Sequence, residues 1–149
     1  MALAAQVHEH RLTVAFGDCD PAGIVYYPRL FDYFHRAMEE WFGVLGFDYS
    51  ELILGAKRGF PCVHAEADFQ APCVLGETLG VELRVARLGS RSITFGYRVL
   101  GEQRAVRLTG KTVCVVMDLD ESSSGYRQST EMPADLRRAI EAFVAGEAG

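Results

Sequence analysis

One long apolar stripe between residues 28 and 45 limits the fold of this chain more than any other feature. Large apolar side chains recur there at spacings of three and four residues: Leu30, Phe31, Phe34, Ala37, Met38, Trp41, Phe42 and Leu45. This spacing predicts a helix with one wide apolar face, and Pro28 suits a first helical position, where a backbone N–H has no partner. Gly43 and Gly46 mark its far end. A face this wide and bulky is enough for a helix that is buried against a sheet.

The other apolar residues follow a period of two. Alternating segments occupy 61–69, 78–86 and 92–99, a longer run covers 104–118, and a short one lies at about 10–16. Such alternation predicts antiparallel strands with one covered face, and a short helix is predicted after Pro133. The order indicates an α+β fold in which a five-stranded antiparallel sheet covers one long helix. A nucleotide-binding βαβ chain is excluded because no helices separate the later strands.

Length and composition limit the class of protein. The 149 residues are 49% apolar and 23% charged, which predicts a single domain, 1–149, that needs no disulfide or structural metal. A net charge of −5 argues against a nucleic-acid partner. The longest apolar run, 113–117, is far shorter than the ~18 residues of a membrane span, and the N-terminus lacks the basic start of a signal peptide. We therefore expect a cytoplasmic protein without a membrane partner.

The cysteines and histidines suggest no metal site. The four cysteines contain no Cys-x-x-Cys pair, which argues against a zinc ribbon or a thioredoxin-type site. Cys62 and Cys114 lie in apolar strand-like runs and are expected to be small core residues. The segment 8–10, His-Glu-His, is expected to be a solvated end of the chain. His35 and Glu39 lie four apart on the helix and, without a third ligand, are expected to form a pair at the surface or at a pocket edge.

The segment 16–28, Phe-Gly-Asp-Cys-Asp-Pro-Ala-Gly-Ile-Val-Tyr-Tyr-Pro, carries the chemistry. It is a tight loop with two carboxylates, Asp18 and Asp20, and it ends at a helix N-terminus near Tyr27. The unpaired N–H groups of such a terminus can polarise a carbonyl and hold an oxyanion. A carboxylate from the same loop can act as a nucleophile or as a general base on water, as acyl transfer requires. Taken singly, either aspartate is better explained by an Asx turn that caps the loop.

The stretch 17–28 closely resembles the signature of the 4-hydroxybenzoyl-CoA thioesterase family of hotdog-fold proteins. Three later stretches also match the family pattern: 60–72, Phe-Pro-Cys-Val-His-Ala-Glu-Ala-Asp-Phe-Gln-Ala-Pro; 76–79, Gly-Glu-Thr-Leu; and 132–135, Met-Pro-Ala-Asp. The resemblance thus covers most of the chain. It implies a hotdog fold, in which the antiparallel sheet wraps the long helix, in agreement with the element order predicted above.

The resemblance also implies an activity, the hydrolysis of an acyl-CoA thioester with no cofactor beyond the CoA of the substrate. The family's catalytic carboxylate falls on Asp20, and the backbone N–H that polarises the carbonyl falls at about Tyr27, whereas Asp18 receives a structural role. Another branch of hotdog thioesterases carries a catalytic Glu on the long helix, and the intact Asp20 motif argues against Glu39 and Glu40 in that role. Whether Asp20 attacks the carbonyl or activates water stays open.

The family builds its sites at subunit interfaces, which implies a homo-oligomer, usually a dimer of dimers, and an exposed sheet edge requires the same. His35 on the helix and His64 on the polar face of the strand 61–69 are the candidates for the acyl pocket. A structural, hydrogen-bonded histidine is an equal alternative for His64. Relatives specific for 4-hydroxybenzoyl groups are expected to place an acid near His35 to receive the phenol, so this chain departs from them there.

The charge distribution indicates a polyanionic ligand independently. Residues 84–111 contain seven basic residues and one acid, a net charge of +6 that leaves −11 for the rest of the chain. A basic sheet edge suits the phosphates of CoA, and Arg87 and Arg91, which flank the turn 88–90, are the candidate phosphate ligands. The alternative is that these basic side chains are solvated and paired with acids elsewhere.

An acyl-CoA thioesterase for aromatic acyl groups of the benzoyl or hydroxybenzoyl type, or for other compact acyl groups, is the function that the sequence favours. A thioesterase for fatty acyl-CoA or acyl-carrier-protein substrates shares the same loop and is the enzymatic alternative. A hotdog dehydratase would need a histidine and an acid at other positions. A non-catalytic acyl-CoA sensor would keep the pocket but would not need Asp20.

Overall fold

The computed structural model describes residues 6–147; residues 1–5 and 148–149 of the predicted 1–149 domain lie outside the described part. The elements in chain order are β1 (His8–Thr13), α1 (Tyr27–Val44), α2 (Tyr49–Leu54), β2 (Arg58–Gly59), β3 (Cys62–Phe69), β4 (Thr78–Leu88), β5 (Ser92–Leu100), β6 (Val106–Val115), β7 (Met117–Asp118) and α3 (Ala134–Val144). Short 3₁₀ turns lie at Phe16–Asp18 and Glu102–Arg104. The long helix, the five main strands and the C-terminal helix lie close to their predicted bounds.

The five main strands form one antiparallel sheet in the order β1-β4-β5-β6-β3, and β2 pairs with β7 in a separate two-stranded ladder. The register places Thr13 opposite Thr78 at the end of β1, and Phe69 opposite Leu108 at the end of β3. β1 and β3 are therefore the two edges of the sheet. The prediction of an α+β fold with a five-stranded antiparallel sheet and one long helix is confirmed.

Helix α1 crosses the inner face of the sheet and buries its aromatic side. The ring of Phe34 stacks on Tyr97 of β5 with centroids 4.4 Å apart, and Trp41 meets Phe95 edge-on at 5.3 Å. On its other side Trp41 contacts Phe143 of α3 at 5.6 Å, so the C-terminal helix closes the core. Each large side chain buried in this way stabilises the fold by roughly 1.5–3 kcal/mol. The apolar stripe therefore forms the centre of the core.

Helix α2 was not predicted, because six residues are too few to show a helical period. It begins at Asp48, whose carboxylate accepts the N–H of Glu51 at 3.1 Å as an N-cap. Tyr49 lies against Phe42 of α1 at 5.4 Å and against Phe60 at 6.3 Å. This short helix thereby covers the C-terminal part of α1 and helps to enclose the space between α1 and β3.

Two expectations about single residues are wrong. Cys62 is exposed because β3 is an edge strand, although Cys114 on the neighbouring β6 is buried as expected. His8 and His10 are not a solvated end, since both lie in β1 and contact Glu40 of α1, with His8 at 3.3 Å. Between residues 6 and 147 no helix is long and apolar enough to cross a membrane.

Candidate active site

The loop between β1 and α1 folds back on itself as a tight hairpin with Asp20 at its turn. The N–H of Gly23 donates to the carbonyl of Asp20 at 2.9 Å, and the N–H of Asp20 donates to the carbonyl of Ile24 at 2.9 Å. The Asp20 carboxylate accepts the N–H of Ala22 at 2.8 Å, an Asx turn. Gly23 has a φ of +81°, in the region that favours glycine. The Asp-Pro-Ala-Gly sequence thus fits this turn residue by residue.

Asp18, two residues earlier, is an internal anchor. It is only 7% exposed, and its carboxylate accepts the Tyr33 hydroxyl at 2.8 Å and the N–H of Ala15 at 3.2 Å. Burial and the Asp18 carboxylate raise the pKa of Tyr33, so the phenol stays protonated and donates. These bonds fix the start of the loop to the middle of α1. The geometry therefore agrees with the structural role expected for Asp18.

Asp20 has a different environment. Its side chain is partly exposed, and Ala22 is the one hydrogen-bond donor to its carboxylate in the described part of the chain. One carboxylate oxygen is thereby held by the turn and the other stays available. The hairpin gives the carboxylate a fixed position without burying it, as a group that reacts with a bound molecule requires.

The hairpin leads directly into the N-terminus of α1. The N–H of Tyr26 donates to the carbonyl of Asp18 at 2.9 Å, and a bridge pairs Cys19 with Val25, so both arms of the hairpin lie side by side. Tyr26 is the N-cap residue and contributes no side-chain cap. Tyr27 follows at the first helical position, and within residues 6–147 its N–H has no hydrogen-bond acceptor. Asp20 and this free N–H therefore belong to one rigid hairpin.

Two hollows lie beside α1 on the side of the edge strand β3, and together they are called the groove below. The near hollow, next to the hairpin, has a volume of about 310 Å³ and is bordered by Tyr27, Leu30, Phe69 and Cys73. The far hollow is a cavity of about 380 Å³ that begins at Phe31. Tyr27 to His35 is about 12 Å along the helix at ~1.5 Å per residue. Both ends of the groove are thus within reach of one small molecule.

The far cavity is mostly aromatic and aliphatic. It is lined by Phe31, Phe34, His35, Met38, Tyr49, Phe60, Pro61, Cys62, Ala65, Tyr97, Thr112 and Cys114. One of its lining residues is His35, whose Nε2 lies 2.8 Å from Glu39 and whose ring stands edge-on to Tyr49. The structure therefore places His35 at a pocket, as expected. Tyr49 and Phe60 were not singled out: Tyr49 belongs to the missed helix α2, and Phe60 lies in the short link between β2 and β3.

His64 lies elsewhere. Ala65 lines the cavity, so the preceding residue of the strand projects to the opposite face of the sheet. Its Nε2 lies 3.1 Å from Glu66, and both side chains are about half exposed. Within one chain His64 is therefore a surface residue on the β3 edge, away from the cavity that it was expected to line.

Most basic residues of the span 84–111 pair with acids. Six of the seven form ion pairs: Arg84, Arg98 and Arg104 with Glu82, Arg91 with Glu131, Arg107 with Glu77, and Lys111 with Glu66. Arg87 is the exception within residues 6–147 and is exposed. The alternative interpretation of the basic span therefore holds for these six.

Arg87 and Arg91 flank the β4–β5 turn as predicted, but this turn lies far from Asp20. The hairpin of Asp20 follows Thr13, which pairs with Thr78 at the start of β4, whereas Arg87 lies near its other end. Ten strand residues separate these ends by about 33 Å at ~3.3 Å per residue. In one chain, the two arginines and Asp20 do not share a site.

Among residues 6–147, no group of three or more His, Cys, Asp or Glu side chains is placed to hold a metal ion. The candidate site consists instead of one carboxylate, one free backbone N–H and an apolar groove. Such an arrangement can polarise a carbonyl at the groove entrance and deliver a base or a nucleophile to it.

Comparisons with known proteins support the fold and the family of this chain. The family model of the Thioesterase-like superfamily matches residues 14–140. A 1,4-dihydroxy-2-naphthoyl-CoA hydrolase from Synechococcus elongatus is 30% identical over 133 residues, which cover 87% of this chain and 92% of that protein. The structure of a gentisyl-coenzyme A thioesterase, 28% identical, superposes with a TM-score of 0.79 over 89% of this chain and 99% of the other. A 4-hydroxybenzoyl-CoA thioesterase has a TM-score of 0.81 over 91% and 99% of the two chains, and its 21% identity supports the fold alone.

Proposed function

The chain belongs to the thioesterase-like superfamily, and from that premise we propose that it hydrolyses an aromatic acyl-CoA, with Asp20 and the backbone N–H of Tyr27 as its catalytic groups. The resemblance seen in residues 17–28 is thus confirmed at the level of the superfamily. The protein is an acyl-CoA thioesterase; the aromatic acyl group and the residue roles are what we propose. The proposed reaction uses no cofactor beyond the CoA of the substrate.

The free N–H of Tyr27 is the observation that carries the proposal. It lies at the uncapped start of an 18-residue helix, where the helix dipole adds partial positive charge. Pro28 follows and has no backbone N–H, so the residue next to Tyr27 offers no competing hydrogen-bond donor. A thioester carbonyl that accepts this bond becomes more electrophilic, and the bond strengthens as the oxygen gains charge in the tetrahedral intermediate.

Asp20 supplies the second half of the chemistry. As a general base it removes a proton from water, the hydroxide adds to the carbonyl carbon, and the C–S bond breaks to release the acid and CoA. As a nucleophile it forms a mixed anhydride with release of CoA, and water then hydrolyses the anhydride. The turn leaves one carboxylate oxygen available for either role.

The groove supports an aromatic acyl group. A cavity of about 380 Å³ lies within the usual range for small-molecule sites, and its walls are largely aromatic. His35 is held by Glu39 through one ring nitrogen, which leaves the other to meet a ring hydroxyl. Two of the relatives, the 1,4-dihydroxy-2-naphthoyl-CoA hydrolase and the gentisyl-coenzyme A thioesterase, carry names that describe hydroxylated aromatic acyl groups. These observations favour a compact aryl group over a long fatty acyl chain.

We also propose that the site is completed by a second copy of the chain. The groove is bordered by β3, an edge strand whose side chains are mostly exposed in one chain. Arg87 and Arg91 lie too far from Asp20 of their own chain, so they can bind the phosphates of CoA only in a site that another subunit contributes to. This requires a homo-oligomer, for which a dimer of dimers is our proposal.

The deciding experiment is thiol release from a panel of acyl-CoAs by the wild-type chain and by Asp20→Asn. The panel contains benzoyl, hydroxybenzoyl, hydroxynaphthoyl, short-chain and long-chain acyl groups. We expect the highest kcat/KM with the aromatic substrates and a fall in kcat of about 10²- to 10⁴-fold in the variant, since Asn keeps the size but loses the basicity. The unfolding temperature should not change.

Asp32→Asn is the matched control, because Asp32 pairs with Arg36 at 3.0 Å on the exposed side of α1. It should keep its activity. Near-normal turnover by Asp20→Asn would refute the catalytic assignment. Fast turnover of long-chain substrates alone would refute the aromatic substrate, and tight binding of every substrate without turnover would point to a sensor.

A further inference from the structure

We propose that Cys62 and Cys114 are a reversible thiol pair that closes to a disulfide in the wall of the far cavity. The pair has no role in the proposed hydrolysis. It lies at the point where the edge strand β3 begins to pair with β6. The proposal concerns a modification site and stands independently of the acyl group that the enzyme accepts.

The strand register brings the two residues together. Cys62 lies directly opposite Cys114. In the neighbouring pair, Pro61 and Val115, the N–H of Val115 donates to the carbonyl of Pro61 at 3.1 Å. Hydrogen-bonded and non-hydrogen-bonded pairs alternate along an antiparallel ladder, so the cysteines occupy a non-hydrogen-bonded pair. In such pairs the Cα atoms are about 4.5 Å apart, within the ~4.4–6.8 Å that a disulfide spans.

The side chains also lie on the same side of the sheet. Both cysteines line the far cavity, together with their strand neighbours Ala65 and Thr112. The register shifts between Cys62 and His64, so an irregularity follows the pair directly. A strand with such a shift can adjust locally while the regular ladder beyond it stays in place. Closing the bond therefore needs no change in the rest of β3.

Exposure assigns an order to the two thiols. Cys62 is exposed and its Sγ donates to the carbonyl of His64 at 3.1 Å, whereas Cys114 is 4% exposed. Burial and the neighbouring Cys62 thiol raise the pKa of Cys114 to about 12. Within one chain, Cys62 is therefore the thiol that a small oxidant reaches first, and Cys114 follows as the resolving thiol. Cys73, also buried, lies in the loop between β3 and β4 and is not part of a strand pair with another cysteine among the described residues.

A low-molecular-weight disulfide such as oxidised glutathione is the co-reactant. The Cys62 thiolate attacks one of its sulfurs, a protein–glutathione disulfide forms, and one glutathione thiolate leaves. The Cys114 thiolate then attacks the Sγ of Cys62, the Cys62–Cys114 bond forms, and the second glutathione leaves. The two protein protons end on the two glutathione molecules, so two thiols are oxidised and one disulfide is reduced.

The test is intact mass spectrometry after incubation of the full-length protein with oxidised glutathione at pH 7 and pH 9. We expect a product two hydrogen atoms lighter than the starting protein, preceded by a species one glutathionyl group heavier. Non-reducing peptide mapping should join the peptides of Cys62 and Cys114. Resolution should be about tenfold faster per pH unit, since the thiolate fraction of Cys114 grows by that factor far below its pKa. Dithiothreitol should reverse the change.

Three variants keep the result unambiguous. Cys62→Ser should remain unmodified, Cys114→Ser should stop at the glutathione adduct, and Cys19→Ser, the matched control, should behave as the wild type. A wild-type protein that stays inert, an adduct that never resolves, or a bond to Cys19 or Cys73 would each overturn the proposal. The mass readout does not depend on thioester hydrolysis, so its failure and the failure of the proposed function are distinguishable.

Discussion

The two edges of the sheet are completed in different ways. At the β1 edge, His8 and His10 both contact Glu40 of α1, and Glu9 pairs with Arg104 at 2.9 Å. At the β3 edge almost every residue is exposed, including Val63 at 61%. One edge is tied to the helix by polar contacts within the chain. The other is left open beside the groove.

This difference predicts that the β1 edge contributes mainly to stability and the β3 edge mainly to function. The open edge borders both the hollow next to Tyr27 and the far cavity, so the more exposed edge of the sheet borders the candidate site. An exposed edge with apolar side chains is also a surface that proteins normally cover. Substitutions on the β3 side should therefore change assembly and turnover, and substitutions on the β1 side should change the free energy of unfolding.

The largest effect is expected from Val63→Lys. If a second copy covers β3, the substitution brings like charges together at the contact, and the assembly should dissociate with loss of thioesterase activity. Size-exclusion chromatography with light scattering measures the mass of the particle. Thr13→Lys, at an exposed position of β1, is the matched control and should leave the mass unchanged. An unchanged oligomer in the Val63 variant would place the interface elsewhere.

A smaller effect is expected from Glu82→Gln on the β1 side. Glu82 is 6% exposed and accepts from Arg98 at 2.7 Å and from Arg104 at 3.2 Å. Loss of its charge should lower the free energy of unfolding by about 1–3 kcal/mol, as for other buried groups left poorly paired, while kcat/KM stays the same. Urea denaturation measures the change.

Glu66→Gln on the β3 edge is the matched comparison. Glu66 bridges His64 and Lys111, but its side chain is 53% exposed. Pairs this exposed contribute little, so no measurable change in unfolding is expected. Equal destabilisation by Glu82→Gln and Glu66→Gln would remove the distinction between the two edges.

The β1 edge should also be the acid-sensitive one. Burial lowers the pKa of His8 below 6.5, His10 adds to the lowering, and Glu40 opposes it. The unfolded chain then binds a proton that the folded chain does not, so this contribution to stability is complete above pH 6.5 and is lost as the pH falls through the folded pKa. In urea titrations between pH 5 and 8, His8→Gln should flatten the acid side of the stability curve. A curve identical to that of the wild type would exclude His8 as the cause.

The smallest effect is expected from Arg87→Ala. If Arg87 holds a CoA phosphate from a neighbouring subunit, its loss should raise KM about threefold to tenfold at unchanged kcat, since surface charges add modestly to binding. Steady-state kinetics with one aromatic acyl-CoA measures both constants. Arg138→Ala, at an exposed position of α3, serves as the control. Equal values of KM in both variants would remove Arg87 from the site.

The sequence predicts the elements whose signals are local. The apolar stripe of α1 and the alternation of β4 and β5 are visible in the sequence because each element is long enough to contain several helical turns or several two-residue strand repeats. The hairpin of Asp20 is equally local, since its Asp-Pro-Ala-Gly turn is encoded by adjacent residues. These parts of the fold and of the candidate site could therefore be predicted before any tertiary contact was known.

What could not be predicted depends on strand order. Alternation in β3 indicates a covered face, but it does not show that β3 is an edge strand, on which Cys62 and His64 are both exposed. The same holds for Arg87, whose distance from Asp20 follows from the pairing of β1 with β4. Ion pairs such as that of Arg107 with Glu77 join residues remote in sequence and leave no periodic signal.

The position of β3 also affects how the chain is made. β3 pairs with β6, but β4 and β5 are synthesised between them. At ~5–20 residues per second, β3 leaves the ribosome on the order of seconds before its partner strand exists. During this interval an unpaired strand can associate with other nascent chains. The polar residues that alternate through β3, among them His64, Glu66 and Asp68, oppose such association, because charged side chains protect unpaired strands.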